Sequence, residues 1–526
     1  MYDTARAQEN VLAFLADPAT YGGGLEKVRR IDTHAASVFL AGDRALKIKR
    51  AVRFPFLDYS TLAKRKAACA AEIEVNRRLA PELYRGVVAI TREGNGRLAL
   101  GGDGAPVEWA VDMVRFDENR TLDHMTNAID DDLADALGRA VAAAHDTAPI
   151  VDAAPWIKAL GSYIDEHIEA FTEQPEIFPA ADIEALAAKS RAHYRRIVPL
   201  LRERGRRGLV RHIHGDLHLG NIVLIDGQPV LFDAIEFSDI IGSGDVLYDL
   251  AFLLMDLFER KLPQAANIVL NRYLAETHRI EDLEALTALP FFLSMRAAIR
   301  AKVTAARMER AKAAERDKIA RSARAYFDFA LRAIDPATAQ CVAIGGLSGT
   351  GKTRLSRALA AHIAPMPGAV VVRSDVERKT LFGAGETDKL PAAAYTPDVT
   401  ARVYGLVADK AHRILAAGHS AIVDAVFATP HERQALTEAA KAAKVPLRGL
   451  FLTADLATRI ARVGGRTKDA SDADTAVVEA QENYQLGALN WPKIDASGTL
   501  VETLRRARAA LAADPGPGQV PGQLLD

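Results

Sequence analysis

Cysteine is nearly missing from this chain: Cys69 and Cys341 are the only two in 526 residues. That excludes a disulfide framework and a cysteine-rich zinc site, and it suits a reducing cytoplasm. Charge of one sign is also missing. The 67 Lys and Arg residues face 68 Asp and Glu, for a formal net charge of −1. A chain that attracts nucleic acid through its whole field is basic, so no nucleic-acid partner is expected. No uncharged apolar run reaches about 18 residues, so neither a transmembrane helix nor a membrane partner is expected. The opening MYDTARAQENVLAFLAD carries acids early and has no long apolar core, unlike a secretory signal. A cytoplasmic protein is the expectation. What is present is an ordinary globular balance, 49% hydrophobic and 26% charged, with length for roughly three or four domain-sized units or equally for two large domains.

Pattern divides the chain. Residues 25–116 read as strands around one helix: SVFLAG and RALKIKR pair across a Gly-Asp turn, and TLAKRKAACAAEIEVNRRLA forms a helix that stops before Pro81. Helices dominate from about 130, strands return at 221–232, and long helices run from 245 to about 333. The RERGRRG run at 202–208 reads as a basic loop or as an attractor for an anionic acceptor, and the basic stretch 295–324 as the solvated face of a long helix or as a face toward nucleic acid or the other domain. After IDPATAQ (334–340), strands near 341–345, 369–373, 420–424 and 447–453 alternate with helices, the pattern of a parallel α/β unit. The Pro/Gly-rich end, 513–526, reads as a disordered tail.

The most specific motif is GLSGTGKT, residues 346–353, which fits G-x-x-x-x-G-K-[ST] between an apolar strand and a helix. Gly346, Gly349 and Gly351 let the backbone wrap an anion, and the amides of Ser348, Thr350 and their neighbours face the phosphates. Lys352 is expected on the β/γ-phosphates of ATP, and Thr353 on Mg²⁺. Asp375, just past a strand, reads as general base on a substrate hydroxyl or as a metal holder through water; a helix N-cap is the plainer reading. Asp424, in SAIVDAVF, resembles a metal-binding Walker B acid, with a cap or turn residue as the plainer reading. Which of the two acids serves the metal stays open. Arg373 and Arg378 flank Asp375 and suit an anionic group or a solvated surface. Arg459, Arg462 and Arg466 open a polar, Gly-containing segment that reads as a lid carrying arginines onto the phosphates, or as an exposed helix end. GLSGTGKT, RSDVERKTLFG, IVDAVF and the Arg-rich segment ending in SDAD together resemble the small P-loop kinases, the gluconate-kinase-like, zeta-toxin-like and chloramphenicol-phosphotransferase-like proteins, over about residues 340–510.

The first half carries HGDLHLGN, residues 214–221, with four residues between Asp216 and Asn221 as in D-x-x-x-x-N catalytic loops. Asp233 follows at the end of the strand-like PVLFD. Phosphoryl transfer to a hydroxyl needs such a set: Asp216 as base, and Asn221 and Asp233 on Mg²⁺. Lys47, in RALKIKR, is the candidate for the α/β-phosphates and Glu72 its partner; Lys49 and Glu74 compete. Alternation cannot separate the lysines, which share a strand face, whereas 72 and 74 point about 200° apart on a helix. His214 reads as a loop brace and His218 stays open. HGDLHLGN, LFDAIEF and GDVLYDLAFLL resemble the aminoglycoside-phosphotransferase family, a branch of the protein-kinase-like fold, in which Asp245 and Asp249 correspond to a structural helix start. The residues before Lys47 (Thr33, His34, Ala35, Ala36, Ser37) depart from a G-x-G-x-x-G loop. THAASVFL and LKIKRAVRFPFLDYSTLAKR resemble a bacterial bifunctional group that fuses such a domain to a P-loop domain.

The resemblance implies an α+β bilobal kinase-like domain over 1–335 (small lobe about 1–116, large lobe about 117–335), then an α/β P-loop domain with a parallel sheet over 336–512. It implies an ATP- and Mg²⁺-dependent phosphotransferase with small-molecule hydroxyl acceptors. The other reading is a nucleotide-binding regulator or toxin-like protein in which one domain binds ATP without turnover.

Overall fold

The computed structural model describes residues 2–54, 57–465 and 470–513. The expected tail lies outside them, apart from Ala513, which ends a helix; the lid candidate Arg466 is outside too. The chain divides into two compact units that are not consecutive in sequence: Met1–Tyr163 with Leu201–Asp256, and Ile164–Leu200 with Leu257–Asp526.

The first unit begins with helix α1 (Tyr2–Ala16) and strands β1 (Arg29–Asp32), β2 (Ala36–Ala41) and β3 (Arg44–Lys49). A two-strand ribbon, β4 (Arg53–Phe54) and β5 (Leu57–Asp58), leads to helix α2 (Leu62–Arg77). Strands β6 (Tyr84–Arg92), β7 (Leu98–Leu100) and β8 (Ala105–Val114) complete a six-stranded antiparallel sheet in the order β1-β2-β3-β8-β6-β7. Alternation decides what lies on each face. Leu46 and Ile48 turn toward α1, packing with Val11, Leu15 and Phe39. Ala45 turns the other way, into the cluster around Cys69 of α2, and Lys47 and Lys49 share its face. Thr61 starts α2 by accepting from the Lys64 amide.

The chain continues through α3 (Asp131–Thr147), α4 (Ala153–Thr172) and α5 (Ala180–Arg206). Strand β9 (Val210–His212) precedes the catalytic-type loop, and the hairpin β10 (Ile222–Ile225) and β11 (Gln228–Leu231) follows it. Strand β12 (Ser243–Asp245) pairs back onto β9 and runs into α6 (Val246–Glu259). The basic run at 202–208 is therefore not simply a loop. It holds the last turn of α5, where buried Arg204 grips Asp245 at 2.5 and 2.9 Å, a fork matched to a carboxylate.

In the second unit, α7 (Pro263–Thr277), α8 (Ile280–Glu284), α9 (Leu289–Ala306) and α10 (Ala313–Ile334) precede a parallel sheet. The front of the 295–324 run is core rather than solvated face, because Met295, Arg296, Ala298 and Ala301 of α9 are buried. The sheet contains β13 (Cys341–Gly346), β14 (Val370–Arg373), β15 (Ala421–Asp424), β16 (Leu447–Thr453) and β17 (Lys493–Asp495), in the order β14-β15-β13-β16-β17. Helices α11 (Lys352–Ala360), α12 (Ser374–Leu381), α13 (Pro397–Ala416), α14 (Pro430–Ala442), α15 (Leu456–Gly464), α16 (Thr475–Ala480) and α17 (Leu500–Ala513) connect and cover it. Val342, Ile344, Leu355, Ile422 and Leu450 form its centre.

Candidate active sites

In the first unit, residues far apart in sequence converge on Lys47. Its Nζ lies 2.8 Å from Glu72 Oε1 and 2.5 Å from Asp233 Oδ1. Lys49 takes the other Glu72 oxygen and pairs with Glu236, whose carboxylate also accepts from Tyr59 at 3.0 Å. Both lysines thus contact Glu72. They differ in what else they reach: Lys47 meets the half-exposed Asp233, whereas Lys49 is enclosed by acid. Burial works against the Lys47 charge, but Asp233, Glu72 and Glu236 outweigh it and hold the ammonium well above its ordinary range. Burial likewise opposes the Glu72 carboxylate, and the two lysines pull it below its usual value.

The loop bearing Asp216 is anchored from below. Buried Asp249 accepts from the His214 and Gly215 amides at 3.0 Å each, and from His145 Nε2 at 3.1 Å. Asp256 accepts from the Leu219 amide at 3.0 Å. Gly215 has φ +81°, a turn that an L side chain strains to make. His214 bonds the Phe232 carbonyl at 2.9 Å through Nε2, tying the loop to the residue before Asp233, and burial lowers its pKa. Asn221 donates its amide to the Asp216 carbonyl (2.9 Å) and carboxylate (3.1 Å), which directs the Asn221 oxygen away from Asp216. His218 lies 3.4 Å from the same carboxylate.

Sequence reading missed the side chains that fix Asp233. Asn76, one turn beyond Glu72, accepts from the Ala234 amide at 2.7 Å and donates to its carbonyl at 3.2 Å. The Tyr84 hydroxyl accepts from the Asp233 amide at 3.1 Å. Asp233 has φ +60°, so its backbone needs that support. The one available signal was the i, i+4 spacing of Glu72 and Asn76 on α2.

In the second unit, the loop between β13 and α11 turns through three left-handed glycines, Gly346, Gly349 and Gly351. At Gly349 a Cβ would meet the Arg459 carbonyl oxygen at 2.6 Å. Thr353 donates to Asp424 Oδ2 at 2.6 Å, at the end of β15. Lys352 donates to the Leu347 carbonyl at 3.3 Å. A cavity of about 370 Å³ opens here, lined by Ser348, Gly351, Lys352, Thr353, Asp375 and Arg462 among others. Burial raises the Asp375 pKa, as does Asp424, against the pull of Arg373, Lys352 and a Ser471 hydrogen bond. Arg462 donates to the Ser497 and Gly498 carbonyls at 3.3 and 3.1 Å.

Two of the candidate arginines are committed elsewhere. Arg378 is buried, donates to the Ala394 carbonyl at 2.6 Å, and stacks on Tyr395. Arg459 is buried too, holding the Ser348 carbonyl at 2.9 Å and the Val478 carbonyl at 3.2 Å. Gln481 was not foreseen; it accepts from the Ser348 amide at 2.7 Å and donates to its hydroxyl at 3.0 Å, so that amide, expected on the phosphates, is bonded within the protein instead.

In the second unit the Asp424 carboxylate and the Thr353 hydroxyl bonded to it are hard oxygen donors of the kind Mg²⁺ takes, and in the first unit Asp233 and Asn221 each carry such an oxygen. Among the described residues no group of three or more His, Cys, Asp or Glu could hold a metal ion. Two-residue oxygen sets suit a cation that keeps waters and is completed by substrate phosphates.

Fold and sites define a kinase-like protein in two parts. Residues 28–286 match the phosphotransferase enzyme family, and residues 341–485 match an AAA domain of P-loop kinase-like type. An uncharacterized protein of Mycobacterium tuberculosis is 28% identical over 492 residues, covering 89% of this chain and 92% of its own; one from Mycobacterium bovis gives the same figures. Among solved structures, a choline/ethanolamine kinase family protein from Mesorhizobium loti is 15% identical, with a TM-score of 0.36, over 62% of this chain and 99% of its own. A gluconokinase from Sinorhizobium meliloti is 21% identical, with a TM-score of 0.25, over 33% and 92%. No helix of the described residues is long and apolar enough to cross a membrane.

Proposed function

We propose that the chain is an ATP- and Mg²⁺-dependent phosphotransferase with two kinase-type sites, each acting on the hydroxyl of a small molecule. What supports this reading is a parallel between the units: in the first, Lys47 pairs with Glu72 and Asp233 while Asn221 holds Asp216, and in the second, Thr353 donates to Asp424 at a cavity that Lys352 and Asp375 line. In the first unit Lys47, steadied by Glu72, meets the α/β-phosphates; Asn221 and Asp233 hold Mg²⁺. Asp216, kept in place by Asn221, takes the proton of the acceptor hydroxyl. In the second unit the loop amides and Lys352 hold the β/γ-phosphates, Thr353 and Asp424 hold Mg²⁺, Asp375 takes the acceptor proton and Arg462 lines the nucleotide end of the cavity. Bound Mg²⁺ would neutralise phosphate charge.

The test is a metabolite-library screen with ATP labelled at the γ-phosphate, followed by mass spectrometry. Asp216→Asn and Lys352→Ala should each abolish a different phosphorylated product. A variant that leaves every product in place removes its unit from the proposal. Wild-type nucleotide binding with no product from one unit would favour the regulatory reading for that unit.

A further inference from the structure

Helix α7 lies within the segment that matches the phosphotransferase family, yet its side chains serve the P-loop sheet of the same compact unit. Asn267 and Asn271 both donate to the Ala369 carbonyl, at 3.0 and 3.1 Å, and the Val371 amide donates to Asn271 Oδ1 at 2.7 Å. The next residue, Arg272, donates to Glu386 Oε2 at 2.9 Å. Glu386 Oε1 accepts from Arg373 at 3.2 Å. Arg373 in turn reaches Thr353 Oγ1 at 3.4 Å and stands 3.6 Å from Asp424 Oδ2.

This is a chain of alternating charge that ends on the oxygen pair assigned to Mg²⁺. It is not a surface ornament: the Arg272 and Arg373 side chains are 12% and 8% exposed. Burial opposes the Glu386 charge, but Arg272 and Arg373, with Arg357 at 3.8 Å, outweigh it and hold the carboxyl below its usual range. The chain has a clear electrostatic consequence. A guanidinium resting too close to Asp424 competes with a divalent cation, and Glu386, by accepting from Arg373, draws it back. Arg272 fixes Glu386.

We propose that Arg272 is a positioning residue of the P-loop site, acting through Glu386 and Arg373 to set the Mg²⁺ affinity of the Thr353–Asp424 pair. The proposal rests on the reading of that pair as the metal holder.

The test is a Mg²⁺ titration of fluorescent ATP-analogue binding to the full chain. The P-loop signal is the part lost in Lys352→Ala. Arg272→Met and Glu386→Gln should each raise the half-saturating Mg²⁺ by about tenfold or more, as loss of a partner behind a metal ligand does. Binding of the analogue in EDTA should not change, and Arg272→Lys should recover part of the loss. Folded variants, judged by their melting curves, with a wild-type Mg²⁺ midpoint would overturn the proposal. Equal weakening with and without Mg²⁺ would overturn it too, because it marks a merely structural role. If the wild type gives no Lys352-dependent signal, the metal reading itself fails and takes the proposal with it.

Discussion

Lys47 and Lys49 sit two residues apart on one strand face, and their surroundings assign them different work. Lys49 is closed in by Glu72 and Glu236, whose side chains are 0% and 6% exposed, while Asp233 beside Lys47 is 43% exposed. Removing Lys49 takes the lysine from buried Glu236, leaving it the Tyr59 hydroxyl, and takes one of its two lysines from buried Glu72. Lys49→Met should therefore cost about 3–5 kcal/mol of stability in urea unfolding. Lys47→Met should weaken nucleotide binding at the first site more than it lowers stability, and the opposite pattern would reverse the assignment. Asp375 carries a second prediction. Its carboxyl is held above the usual range by burial, so the base form is lost as pH falls through that raised value. The pH–rate profile of the P-loop site should have an acidic limb above the ordinary Asp range. Asp375→Asn should remove the limb and lower turnover by about 10²–10⁴-fold; an unchanged profile sinks the assignment. At this scale the candidate groups were legible where they sit in contiguous motifs, as in GLSGTGKT and HGDLHLGN. Burial is not legible there, so Arg378 and Arg459 read as ligand arginines or as exposed charge, and they are buried and hold backbone carbonyls instead.

Two helices hold neighbouring backbone with asparagine side chains: α2 through Asn76 and α7 through Asn271. Asn76→Ala leaves the Ala234 amide without its partner, in buried surroundings. That should cost about 1–3 kcal/mol, measured by urea unfolding. Because Ala234 follows Asp233, the variant should also weaken nucleotide binding at the first site; normal binding would separate Asn76 from the site. Most elements were legible from period and punctuation, such as β6 from YRGVVAITR and α2 from its run up to Pro81. Helix α1 was not read, since what marks it is packing of Val11 and Leu15 on Phe39 and Leu46. Strand β17 was missed because three residues with one buried side chain carry no alternation.

For the molecule as a whole, the expectation is two nucleotides per chain. Isothermal titration with Mg²⁺ and a non-hydrolysable ATP analogue should give two sites, and one in Lys352→Ala; a single site in the wild type would end the two-site reading. With a net charge of −1, the expected nucleotide affinity would come from local lysines, loop amides and Mg²⁺ rather than from the overall field. The boundary near residue 335 followed the change of pattern at IDPATAQ, where local signals do switch. The compact units follow contacts instead, and α7 belongs with the sheet it grips. Such an association between residues 271 and 371 leaves no mark in either local pattern.

The grip of α7 on β14 also orders events during synthesis. Strand β14 is a sheet edge, with one face of its backbone ladder left for any strand that meets it. The chain is made from its N-terminus at roughly 5–20 residues per second. Residues 263–277 therefore leave the ribosome several seconds before residues 370–373. The cover is ready before the edge exists. A circularly permuted chain that begins at residue 336 would reverse the order, and its nascent sheet would meet other chains before its own guard.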